Sequence, residues 1–281
     1  MDHLPQFIWH ICDAYLPELQ FRLRNPGKAP VRSKLPAALE NRIKLSGWVK
    51  AYNDWFTETH STDKSVLVLP IEGEMSRGGG WYGYGNDFLI RQLNAAATDT
   101  DYKGAVLKAN TPGGTADSTP AFAEAVANFR KVKPVVTHTA YCASAGYYVA
   151  SQSDEIIMED QAASQIGSIG TLLIYENYKK YLEQEGIDIQ IMRAKGSEDK
   201  ARVNWIEELT PEARAGLQAM LDACQKEFAG AVKRGRAGKI TSNEVLTGKM
   251  YGVNDALKLG LIDAKGDLAS AVKRVITLSG K

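Results

Sequence analysis

From Lys64 onward, short β-branched runs alternate with segments of helical periodicity, and this alternation restricts the possible folds more than any other feature of the chain. Ser65–Ile71 (SVLVLPI), Gly104–Ala109 (GAVLKA), Pro134–Ala140 (PVVTHTA) and Glu155–Met158 (EIIM) read as strands. Runs so continuously apolar suit strands covered on both faces. Helices are expected between them. Asn86 can cap one that carries Leu89 and Leu93 on one side, and Ser118-Thr119-Pro120 starts another with Phe122, Val126 and Phe129 at helical spacing. Further along, Thr171–Ile174 reads as extended, Glu176–Glu185 as a helix stopped by Gly186, and Asp188–Met192 as a strand. Thr210-Pro211-Glu212 opens a long helix with Leu217, Met220, Leu221, Cys224 and Phe228 on one side. The βαβ order predicts an α/β fold, a mostly parallel sheet flanked by helices.

Residues 1–60 differ in character. They are aromatic and basic, Pro26, Gly27 and Pro30 mark a turn or linker, and Ala38–Phe56 suggests helix. This region is expected to be a helical extension for docking or oligomerisation, with residues 61–281 forming the main domain. Opposite charges nearly cancel, to a formal net charge of +1. That balance argues against nucleic acid as the partner, because phosphate binding needs a concentrated basic face. Cys12, Cys142 and Cys224 form neither a metal-ligand pair nor a disulfide framework, which fits a reducing, cytoplasmic setting. No apolar run approaches the length of a membrane span and the N-terminus lacks a signal-peptide pattern, so a soluble chain without a transmembrane anchor is expected.

Three strand-to-helix junctions carry residues suited to chemistry. At Asn110-Thr111-Pro112-Gly113-Gly114, paired glycines let the backbone turn sharply and aim N–H groups at a ligand. Such donors can stabilise the charge on a carbonyl oxygen under attack, although an ordinary tight turn has the same pattern. At Tyr141–Tyr148, Ser144 stands among small residues where a helix begins, and the Ala145 N–H is a second candidate oxyanion donor. A simple helix cap is the plainer reading of this serine. Cys142 is a rival nucleophile that suits a packed thiol better. The third junction, Lys195-Gly196-Ser197-Glu198-Asp199-Lys200, offers lysines. A lysine becomes a base only when desolvation or nearby positive charge lowers its pKa from about 10.4 by several units.

The histidines narrow the choice. His3, His10 and His60 lie in the extension, and His138 precedes Ser144 on its strand. No histidine follows Ser144, so a triad with a downstream histidine is excluded. If Ser144 is a nucleophile, lysine is the best remaining activator, with His138 a lesser alternative.

Taken together, VLVLPIEGEM, KGAVLKANTPGG, KPVVTHTAYCASAGYYVASQSDEI, GSIGT, KGSEDKA and MYGVNDALKLGLID, in this order, resemble the signal peptide peptidase A family of serine peptidases. The resemblance covers about Ser65 to Ala271. It implies the repeated ββα core shared with the Clp protease proteolytic subunit and crotonase, and a Ser-Lys dyad working through an acyl-enzyme. Ser144 would be the nucleophile and Lys200 the base. Gly113, Gly114 and Ala145 would form the oxyanion hole, and Ser168 would orient the lysine. Two departures stand out. Ser144-Ala145-Gly146 replaces the usual Ser-Gly-Gly, and the lysine loop is one residue longer than the usual Gly-x-x-Lys, which leaves Lys195 open as an alternative. No metal or cofactor is implied. Relatives form rings, some sharing the dyad between subunits, so a homo-oligomer is expected. The single-domain length resembles soluble phage and prophage members that cut scaffold and capsid proteins. A signal-peptide-degrading peptidase, a crotonase-type acyl-CoA enzyme and a non-catalytic assembly protein remain the alternatives.

Overall fold

The computed structural model describes residues 9–11, 49–54, 63–79 and 83–280. Most of the expected N-terminal extension, with its Pro26–Pro30 turn, Cys12 and much of the Ala38–Phe56 helix, lies outside the described residues. Residues 49–54 are helical, and Asn53 Oδ1 accepts a hydrogen bond from Val68 N at 2.7 Å.

Four of the predicted strands appear within three residues of their expected bounds. They are β2 (Val66–Glu72), β3 (Gly104–Thr111), β5 (Val135–Ala143) and β6 (Glu155–Met158), and they pair side by side in parallel. β9 (Ala264–Lys265) extends the sheet beyond β6, again in parallel. The helices α1 (Asn86–Thr98), α2 (Thr119–Arg130) and α3 (Ala145–Ala150) connect these strands. Both faces are covered, which explains the unbroken apolar runs. Leu67, Leu69, Leu107 and Val135 pack with Leu89, Leu93, Phe122 and Phe129 on the α1/α2 side. Val66, Val68, Val106, Val136 and Ile157 pack on Leu268, Ala271, Val272 and Val275 from the last helix, Leu268–Ser279.

Short strands complete the region around the β5–α3 junction. β4 (Gly113–Thr115) leaves β3 after a turn and pairs antiparallel with β1 (Trp9–Ile11). β7 (Gln165–Gly167) pairs in parallel with the end of β5 and antiparallel with β8 (Met250–Gly252).

Two expected extended segments do not form strands. Asp188–Met192 forms no strand and Thr171–Ile174 no more than an isolated bridge position. A strand needs an edge to pair with, and no described strand pairs with Asp188–Met192. Ile187 and Ile189 are 46% and 44% exposed and Met192 is 93% exposed, so the pattern presents an unpaired apolar surface. The neighbouring helix α4 (Lys179–Gln184) does form, shorter than expected, and ends before Gly186 at φ +70°. The long helix α5 (Pro211–Gly235) begins as predicted, with Thr210 Oγ1 accepting the Ala213 N–H. Only its last turns reach the core, through Phe228, Ala231 and Val232. Met220, on the predicted apolar side, is 42% exposed.

Candidate active site

Ser144 occupies the step from β5 into α3 with φ 55° and ψ −117°. A non-glycine residue with positive φ is strained, and such strain persists only where the surroundings fix it. Here they do. Ser144 N donates to Gly167 O at 2.8 Å, and Ser144 O accepts from Tyr148 N at 2.9 Å. The side chain is fully buried, and its Oγ has no hydrogen-bond partner among the described residues. It does not cap α3. A buried hydroxyl without a partner costs about 1–3 kcal/mol. The residue therefore sits at a sharp strand-to-helix elbow with its hydroxyl uncommitted.

Small residues make the elbow possible. A Cβ on Gly146 would lie 2.4 Å from Thr111 Cγ2 and 3.2 Å from Cys142 Sγ, so glycine lets α3 pack onto the end of β3. A register shift between β3 and β5 pairs Ala109 with Thr139 but Asn110 with Tyr141. It turns Cys142 into the core, where burial pushes its thiol up to about 12. That thiol is a packing group. His138 is 3% exposed, and burial, helped by the charge of Lys108, lowers its pKa to about 4. It makes no hydrogen bond to Ser144.

The glycine turn takes two distinct roles. Gly113, at φ +96°, makes the turn, and its N–H is taken by Thr111 Oγ1 at 3.1 Å. Gly114 lies where β4 crosses Met75, and a Cβ there would come within 1.8 Å of Met75 O. Met75 N donates to Gly113 O at 2.8 Å, and Thr115 N donates to Met75 O at 2.9 Å. Alternation along the strand then points the Gly114 N–H away from Met75. α3 packs against β4, so β4 borders the Ser144 elbow. Ala145 is the first helical residue of α3, and its N–H has no acceptor within the helix.

Ser168 and Ser144 each follow the end of one of two paired strands. β5 and β7 end on the pair Ala143 and Gly167, and the two serines follow, with φ 55° and 52°. Ser168 is 6% exposed, and its N–H donates to Lys249 O at 2.8 Å. The structure thus brings together Ser144, Ser168, Gly113, Gly114 and Ala145.

The lysines are not part of that group. Lys195 and Lys200 are both exposed. The Lys200 loop is nonetheless held in shape, by residues that sequence reasoning did not single out. Arg193 grips Glu207 with both Nη atoms, at 3.0 and 2.6 Å, and also donates to the carbonyls of Lys200 and Ala201 at 2.6 and 3.0 Å. Asn204 Nδ2 adds bonds to Ala201 O and Glu207 Oε2, both at 2.8 Å. The only sequence signal for this clasp was opposite charge at Arg193 and Glu207, which also describes an ordinary surface.

Comparison with known proteins fits this geometry. The family model described as peptidase family S49 matches residues 127–280, more than half of the chain. A protein named as a protease in Methanocaldococcus jannaschii is 29% identical over 194 residues, covering 68% of this chain and 61% of its own. Another so named, in Synechocystis, is 28% identical over 222 residues, covering 78% and 76%. Capsid assembly protease C of Escherichia phage lambda is 29% identical over 205 residues, covering 70% of this chain and 46% of the phage protein. The chain thus spans less than two thirds of the length of the first and third of these relatives.

Proposed function

The chain belongs to peptidase family S49, and on that basis we propose that it hydrolyses peptide bonds through an acyl-enzyme on Ser144, with Lys200 of a second copy of the chain as general base. The observation that carries this reading is the buried, uncommitted Ser144 Oγ at a strained elbow. A structural serine in that place would spend its hydroxyl on a cap or a core hydrogen bond.

Ser144 Oγ attacks the substrate carbonyl carbon while a neutral lysine amine takes its proton. The Gly114 and Ala145 amides receive the developing oxyanion, and Gly113 holds the turn that aims them. The lysine then protonates the leaving amine, and water releases the acyl group by the same path in reverse. In this reading Ser168 accepts a hydrogen bond from the incoming amine and orients it.

Assignment of the base to a second copy follows from exposure. Lys200 is exposed, on an arm whose Ile187, Ile189 and Met192 are uncovered and whose Asp188–Met192 has strand character without an edge among the described residues. Docking of this arm on a neighbouring copy would bury those side chains, pair the strand and desolvate the lysine. Desolvation is what favours the neutral amine a base requires. The Arg193–Glu207 clasp supports the choice of Lys200, because Arg193 holds the Lys200 backbone carbonyl.

A serine-directed phosphonate tests the assignment. It is expected to label the wild-type chain at Ser144, to label Lys195→Ala comparably, and to leave Lys200→Ala essentially unlabelled. Full labelling of Lys200→Ala would remove Lys200 from the mechanism. Loss in Lys195→Ala alone would move the role to that residue.

As natural substrates we favour capsid or scaffold proteins, because the phage lambda relative named for capsid assembly aligns over 70% of this chain. Among the described residues no helix is long and apolar enough to cross a membrane. Cleavage of free signal peptides, with co-expressed capsid and scaffold proteins left intact, would reverse that preference.

A further inference from the structure

We infer that the outer edge of β4 binds an extended peptide running antiparallel to it, and that the chain's own residues Trp9–Ile11 hold this edge as an intramolecular competitor of substrate. The inference rests on the proposed role of Gly114 as an oxyanion donor beside Ser144. β4 has two edges. The inner one is taken by Met75, which bonds Gly113 O and Thr115 N. Strand alternation therefore aims both polar groups of Gly114 at the outer edge. That edge carries β1, in the register Trp9 with Thr115, His10 with Gly114 and Ile11 with Gly113. The amide assigned to the oxyanion thus faces His10 in a backbone ladder.

A substrate carbonyl cannot reach the Gly114 N–H while His10 is bonded there, because the edge offers one row of donors and acceptors. Recognition runs through main-chain groups, so an extended peptide of many sequences can take the place of β1. A short two-stranded ladder is weak by itself, which makes the occupant displaceable. The segment therefore acts as a tethered competitor that raises the apparent KM and leaves the chemical step untouched.

His10→Pro in the full chain is the test. Proline removes the N–H opposite Gly114 and cannot sit within a ladder, whereas His10→Ala keeps the backbone donor. For a short chromogenic peptide, His10→Pro is expected to lower KM about 3- to 10-fold, the range for a site otherwise open only a minor fraction of the time. Its kcat should be unchanged, and His10→Ala should match wild type. Amide hydrogen exchange over residues 112–116, without substrate, should speed up in His10→Pro alone. Unchanged KM and unchanged exchange in His10→Pro would overturn the inference, as would an equal effect from His10→Ala. Should wild type and His10→Pro both fail to cleave peptides, the peptidase reading falls, and the exchange measurement still decides whether β1 holds the β4 edge.

Discussion

Ser144→Ala is expected to lower kcat for peptide hydrolysis by about 10⁴- to 10⁶-fold, the usual cost of removing a covalent nucleophile, while leaving the protein at least as stable as wild type. The two halves of that result have one cause. The hydroxyl is buried without a partner among the described residues, so its removal relieves a desolvation cost of about 1–3 kcal/mol. Alanine keeps the backbone bonds to Gly167 and Tyr148 that hold the elbow. Steady-state kinetics and a denaturation midpoint measured on the same preparation check both halves. A structural cap would give the opposite pattern, with stability lost and activity little changed.

The largest loss of stability is expected away from the site, at Asp263. Arg236 has a side chain of 0% exposure, and its Nη1 meets Asp263 Oδ2 at 2.5 Å. Its Nε and Nη2 donate to Gly260 O, at 3.1 and 2.7 Å. Asp263 also accepts from Lys239 Nζ at 2.6 Å and from Ile156 N at 2.7 Å, which ties the closing segment of the chain to β6. Asp263→Ala leaves a buried guanidinium without its counter-charge, a change that costs about 3–5 kcal/mol. For a chain of this size that lowers Tm by on the order of 10 °C. Burial by itself would raise the Asp263 pKa, but the Arg236 bond and charge, with Lys239 and the Ile156 amide, outweigh it and hold the carboxyl below its usual range. A folded pKa below the unfolded one means that the contribution is complete above the ordinary carboxylate range and is lost as pH falls through the lower folded value. Denaturant midpoints measured from neutral to acid pH should therefore fall more steeply for wild type than for Asp263→Asn.

How much of this was legible in the sequence depends on how local each cause is. β2, β3, β5 and β6 were readable because strands covered on both faces must be apolar throughout, as Val66–Leu69 and Val135–Val136 are. The start of α5 was readable because Thr210 and Pro211 act within a single turn. Ser144 could be singled out by its small neighbours, and Gly146 now has a steric reason to be small. The strand at Asp188–Met192 was misread because alternation reports a preference, whereas a strand requires an edge. This chain provides none there among its described residues. Arg236 gave no signal, since it closes the run Lys233-Arg234-Gly235-Arg236, which reads as solvent-facing charge although Arg236 is 1% exposed. The division of labour at Gly113 and Gly114 was equally hidden. It is decided by Thr111 Oγ1 and by Met75, a residue from another part of the chain.

The proposed dyad depends on both kinds of cause. The serine half is local, fixed by the β5–α3 step. The lysine half rests on the order of motifs and on an arm that stays solvated within one chain.

Mixing two inactive chains tests the central claim most directly. Ser144→Ala and Lys200→Ala would be purified separately, combined in equal amounts under conditions that exchange subunits, and assayed for peptide hydrolysis. If each site takes its serine from one copy and its lysine from the next around a closed ring, the mixture should recover about a quarter of wild-type activity. Two parents that stay inactive alone and together, although subunits have exchanged, would contradict a dyad shared between copies.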